Sequence, residues 1–202
     1  MNSENAEEQF SPQESFAVIQ KMIETAKNQF SENGHLYLLW GWVVLLCSVS
    51  QFLLLYVFHY KYHPVVWSAT WLAFIYQTYY LIKQKRRRRI RTYTDKIIGF
   101  VWFVFLVLML LFGVLFGSVL GDNYYKMIGP CFLALYGMPT FLSGIIIRFK
   151  PLIIGAIGCW IFSILSLYIN PEFQLLLPAA AMLVAWIIPG YSLRARYKKA
   201  NS

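Results

Sequence analysis

Six long stretches of the chain, 36–58, 65–82, 97–120, 127–147, 152–169 and 173–191, contain no Asp, Glu, Lys or Arg. Within them apolar residues run on without the three-to-four spacing that would leave a helix one wet face. A helix rises about 1.5 Å per residue, so about 20 residues cover a hydrocarbon core about 30 Å thick, and the pattern predicts six membrane-spanning helices. Lipid offers the backbone no hydrogen-bond partners, so a spanning segment must be a helix or belong to a closed barrel. These stretches lack the alternation of barrel strands. The connections 59–64, 121–126, 148–151 and 170–172 are short, which makes consecutive helices antiparallel neighbours. The predicted fold is therefore all-α: a polytopic bundle of six transmembrane helices in three antiparallel hairpins (36–191), between an N-terminal region (1–35) and a basic tail (192–202).

The N-terminal region has a different pattern. Ser11, Pro12 and Glu14 have the form of a capping box with proline at the first helical position. Phe16, Ile19, Ile23, Ala26 and Phe30 then recur at three- and four-residue steps, with Glu14, Lys21, Glu24 and Lys27 on other faces. This predicts an amphipathic helix over about 12–30. Helices that lie on a membrane surface carry Lys and Arg on the polar face, whereas this face has mixed charge. Its apolar stripe is therefore read first as a docking face for protein, whether a partner, a second copy or the bundle itself, with the bilayer surface as the alternative. The region is acidic and lacks the basic start and cleavage site of a signal peptide, so the first span is expected to remain as a signal anchor.

Composition agrees with lipid as the solvent: 58% of residues are hydrophobic and only 13% charged, against about 25% charged in soluble domains. The placement of the cations then sets the orientation. Of eighteen Lys and Arg residues, all but Lys61 and Lys126 fall on one side of a six-span topology, and cationic loops resist translocation. That side is predicted to be cytoplasmic, with both termini in it. The densest run, Lys83, Lys85, Arg86, Arg87, Arg88, Arg89 and Arg91, adjoins two spans. Anionic lipid headgroups contribute about 1 kcal/mol per cation in such a position, so the run is read as a lipid contact and not as a nucleic-acid site. Trp40, Trp42, Tyr56, Tyr60, Tyr62, Tyr79, Tyr80, Tyr124 and Tyr125 are expected to be interfacial anchors.

Chemistry-bearing motifs are sparse. Gly113, Gly117 and Gly121 put small residues on one face of the third span and predict a close helix contact, within the chain or between two copies. Pro139 and Pro178 predict kinks in spans four and six. His59 and His63 stand four apart in the first outer connection, but Pro64 biases His63 away from helix and no further ligand is near in sequence. Cys47, Cys131 and Cys159 lie inside spans and read as packing residues. The spans hold no carboxylate for ion coupling, and no metal or cofactor is implied.

The segment from Ala134-Leu135-Tyr136-Gly137 through Arg148-Phe149-Lys150-Pro151-Leu152 to Cys159-Trp160, with the overall layout, resembles small six-span bacterial inner-membrane proteins of no assigned activity. The resemblance implies an architecture and no site residues. The expectation is a non-catalytic protein of the bacterial inner (plasma) membrane that acts through helix-mediated contacts, as a regulator or subunit of a membrane complex. The alternative is a small carrier or channel for an apolar or uncharged solute, suggested by Ser48, Ser50, Gln51, Gln77, Thr78, Ser163 and Ser166 at membrane depth.

Overall fold

The computed structural model describes residues 16–20, 22, 34–87, 93–121 and 124–201, which are helical or in short turns with no strand among them. The long apolar helices are α1 (Gly34–Tyr56), α3 (Tyr93–Val119) and α4 (Tyr124–Ile146). Between α1 and α3 lie a 3-10 helix (His63–Ser68) and α2 (Ala69–Arg87). After α4 come α5 (Lys150–Ser166), the short α6 (Pro171–Gln174), α7 (Leu177–Met182), a π-helical turn (Leu183–Ile187) and α8 (Ile188–Asn201). Among the described residues, four stretches are long and apolar enough to cross a bilayer: Gly34–Tyr56, Lys96–Val119, Lys126–Ile146 and Pro171–Arg196.

The other two expected spans differ from the sequence pattern for identifiable reasons. Pro64 opens the 3-10 helix at N1/N2, where its missing N–H costs nothing, and the α-helix proper starts only at Ala69. That helix then continues past its apolar part into the cationic run. The fifth stretch forms a helix of 17 residues, with Pro151 in its first turn and turns from Leu167 onward. In the sixth, the helix is interrupted at Leu175–Leu176, and Pro178 stands in the first turn of α7, where no donor is required. Pro139 is interior to α4 and fully buried.

The corner between α4 and α5 is built by the backbone. Arg148 takes the left-handed conformation (φ 55°), Arg148 N–H donates to Ile145 O at 3.0 Å, and Phe149 N–H donates to Gly144 O at 2.9 Å. This is a Schellman stop, with the buried Phe149 as its hydrophobic follower. Gly144 lets α5 come close, since a Cβ there would meet Ile153 N at 3.0 Å.

The tightest packing surrounds the π-helical turn. A Cβ on Gly155 would lie 2.5 Å from Ala185 Cα and 2.8 Å from Val184 O, and one on Gly41 would lie 2.7 Å from Ile187 Cγ1. The widened turn is thus gripped between α5 and α1 at two glycines. Its Trp186 enters an aromatic core with Tyr136 (ring centroids 5.4 Å apart) and Trp102 (5.7 Å). Tyr37 and Phe105 complete the core, the first edge-on to Trp102 and the second tilted against Tyr136.

The close contact expected at Gly113, Gly117 and Gly121 is not made inside the chain among the described residues. A Cβ on Gly113 or Gly121 would meet nothing within 4 Å, and one on Gly117 only the Tyr124 ring at 3.9 Å. Gly121 lies beyond the end of α3, with φ 49°.

Gly155→Ala and Gly113→Ala therefore differ in sign. Overpacking against rigid backbone costs about 1–3 kcal/mol, so Gly155→Ala should lower the thermal midpoint in detergent by about 3–10 °C. Gly113→Ala gains up to about 1 kcal/mol of helix propensity and should hold or raise it.

Candidate functional site

Side-chain contacts sort the charged residues onto two ends of the bundle. At one end the start of α1 meets the middle of α2 and the first half of α8: His35 hydrogen-bonds Tyr76 OH at 3.1 Å, and a Cβ on Gly34 would lie 3.3 Å from Leu193 Cβ. Tyr37, one turn inward, lies beside Ser143 near the α4–α5 corner. This end carries the exposed Lys83, Arg148, Lys150, Arg194 and Arg196. Lys83 Nζ sits 5.9 Å above the Tyr79 ring. Lys85, Arg86 and Arg87 continue α2, and Arg88, Arg89 and Arg91 lie outside the described residues.

In the N-terminal helix, Phe16 and Ile19 are 69% and 54% exposed, so this part of the apolar stripe has no cover from the bundle. Ile23, Ala26 and Phe30 lie outside the described residues.

Several polar side chains at membrane depth serve as links between elements. Trp40 Nε1–H donates to Gln77 Oε1, tying α1 to α2, and Ser48 Oγ donates to Leu175 O in the turn before α7. Trp186 Nε1–H donates to Thr140 Oγ1 at 2.8 Å, Ser163 Oγ donates to Pro130 O at 2.7 Å, and Trp160 Nε1–H donates to Ala134 O at 3.2 Å. Thr78 bonds its own helix, at Phe74 O. Trp40, expected as an interfacial anchor, also links two helices through its bond to Gln77. The Tyr37 hydroxyl and Ser143 Oγ are buried and make no hydrogen bond of good geometry among the described residues. Cys47, Cys131 and Cys159 are free thiols.

The opposite end carries a cleft of about 590 Å³ lined by Tyr56, His59, Tyr60, Lys61, His63 and Glu172. Its floor is fixed from within the bundle. Trp67 Nε1–H donates to Gln51 Oε1 at 2.5 Å, and Gln51 Nε2 lies 3.0 Å from His63 Nδ1. His59 adopts a left-handed backbone (φ 50°) that ends α1 and turns the chain into this cleft. His59 and His63 both line this cleft, and among the described residues no group of three ligands that could hold a metal forms. What the sequence reading missed is Glu172, 109 positions beyond His63, which only the fold brings near.

Comparison with protein-family models, with curated proteins and with solved structures finds no match.

Burial lowers the pKa of His63 below its ordinary value. A base whose folded pKa is depressed stabilises the fold above its unfolded pKa of about 6.5, and that contribution is lost as pH falls toward the folded value. The thermal midpoint of the wild type should therefore drop more between about pH 7.5 and about pH 5 than that of His63→Gln, read by melting in detergent.

Proposed function

We propose that the chain is a six-span protein of a bacterial inner membrane, with both termini cytoplasmic, that acts by contact and not by chemistry of its own. The exposed stripe at Phe16 and Ile19 docks a protein partner, and the cationic end, with the run from Lys83 to Arg91, lies against anionic headgroups. The observation that carries this reading is the use made of polar groups inside the bundle. Trp40, Gln77, Ser48, Thr140, Trp186 and Ser163 are engaged in bonds that tie one element to another. A transport path needs polar groups turned toward a passing solute, and these are turned toward neighbouring helices.

Two further observations support the span count and orientation. The 17 residues of α5 reach about 25 Å, at the short end of what crosses a bilayer. Lys83, Arg148, Lys150, Arg194 and Arg196 gather at one end, as a cytoplasmic face requires. On that end each cation near a headgroup surface contributes about 1 kcal/mol, so the loop alone is a substantial lipid attachment.

Single cysteines placed at Lys61 and at Lys150, in a chain with Cys47, Cys131 and Cys159 replaced by Ala, test the arrangement. A membrane-impermeant thiol reagent applied to intact cells should label position 61 and leave position 150 unlabelled; the reverse pattern refutes the orientation. Removing residues 1–30 should leave the bundle inserted and abolish co-purification of its partner, as seen by in-cell cross-linking and mass spectrometry. An unchanged set of cross-linked proteins refutes a docking role for the helix.

A further inference from the structure

The cleft at the weakly charged end combines groups of both signs in an unusual state. Lys61 and Glu172 line the same space, and neither makes an ion pair within 4 Å among the described residues. Two opposite charges that share a cleft without pairing leave each available to a ligand group of the other sign.

The histidine wall is also chemically defined. An indole nitrogen can only donate, so the Gln51 oxygen faces Trp67 and the Gln51 amide nitrogen faces His63. His63 Nδ1 is then an acceptor, and the neutral ring carries its proton on Nε2. Gln51 is 5% exposed, so this relay is anchored in the bundle and holds the ring from behind. His63 thus lines the cleft as an N–H donor of fixed orientation, while His59 on the left-handed turn supplies a second imidazole.

The remaining lining is Leu55, Tyr56 and Tyr60, and Tyr56 belongs to an aromatic row that continues beside the cleft. Tyr56 stacks on Phe52 with centroids 5.3 Å apart and lies 5.8 Å from the Phe173 ring, forming a row at the end of α1. Aromatic rings of this kind collect at the level of lipid headgroups. A volume of about 590 Å³ falls within the range of small-ligand sites.

We propose that this cleft binds a zwitterion composed of a phosphate and an ammonium, such as the headgroup of an ethanolamine phospholipid. The phosphate lies against Lys61 and the histidine N–H donors, and the ammonium lies against Glu172. A purely anionic ligand would face the Glu172 carboxylate, and a purely cationic one would face Lys61; a zwitterion satisfies both. The position of the cleft beside the aromatic row favours a headgroup over a free solute, although phosphoethanolamine in solution carries the same chemistry. The inference rests on the proposed membrane topology only for placing the cleft at a lipid–water boundary.

The test uses the full chain in nanodiscs of equal phosphatidylethanolamine and phosphatidylglycerol, with retained lipid identified by native mass spectrometry. The wild type should retain the ethanolamine lipid at least about tenfold over the glycerol lipid, a difference of about 1.4 kcal/mol. Lys61→Gln and Glu172→Gln should each remove that preference, whereas Lys126→Gln, a cation outside the cleft, should keep it. Both cleft side chains are exposed and unpaired, so the melting temperature should not move and loss of binding will not reflect loss of fold. Calorimetric titration of the detergent-solubilised chain with phosphoethanolamine distinguishes the sources: saturable binding that both cleft variants weaken assigns the site to the free zwitterion as well as the lipid, and no binding beside selective lipid retention assigns it to the lipid. Equal retention of the two lipids with no phosphoethanolamine binding overturns the proposal, as does a preference that Lys61→Gln and Glu172→Gln leave intact or that Lys126→Gln removes equally. Because these measurements do not depend on sidedness, their failure is separable from failure of the cysteine labelling, which tests the topology alone.

Discussion

Everything in the bundle is arranged around the approach of three backbones at the π-helical turn. Helices in lipid gain no hydrophobic energy by associating, so contact must come from close packing and from bonds between polar groups. An extra residue in the turn at Leu183–Ile187 swells that helix, and a swollen helix can be gripped only where its neighbours have no side chain. Gly41 and Gly155 provide those two places, on α1 and α5. The same turn delivers Trp186 to Tyr136 and Trp102, so one local irregularity joins α1, α3, α4 and α5 to the C-terminal stretch.

Magnitudes indicate which force dominates. Hydrogen bonds between membrane helices average about 0.6 kcal/mol, so links such as Trp186 to Thr140 and Ser163 to Pro130 together supply about 1 kcal/mol. An overpacked contact costs about 1–3 kcal/mol by itself. The glycine contacts therefore set which helices meet, and the polar links set their rotation and depth. A side chain used in this way is not free to turn toward a solute.

The helical architecture was legible because lipid writes itself into sequence as uncharged runs of a fixed length. Where helices begin and end was less so: Pro64 opens a 3-10 helix and Pro178 stands in the first turn of α7, positions where a proline loses nothing. The glycine reading failed inside the chain for a related reason. Regular four-residue spacing at Gly113 and Gly117 shows that a face is small, not that a neighbour lies on it, whereas the single Gly41 and Gly155 do face backbone or a branched side chain. The π-helical turn has no pattern in one sequence, since Leu183–Ile187 reads as ordinary apolar helix. In the cleft, His59, Lys61 and His63 were visible as neighbours, but Glu172 was not, because its proximity is a property of how α1 and the C-terminal stretch pack.

That packing also explains why the two ends of the molecule differ. The end rich in cations is joined by Gly34 against Leu193, by the His35–Tyr76 hydrogen bond and by the Schellman corner at Arg148, and its charges remain on the outside. At the other end the link is polar: Trp67, Gln51 and His63 form a chain from the bundle to the surface. Trp67 lies in the 3-10 helix that leads directly into α2. The arrangement thus gives the sparsely charged end a physical connection to the helix whose far end enters the cationic run.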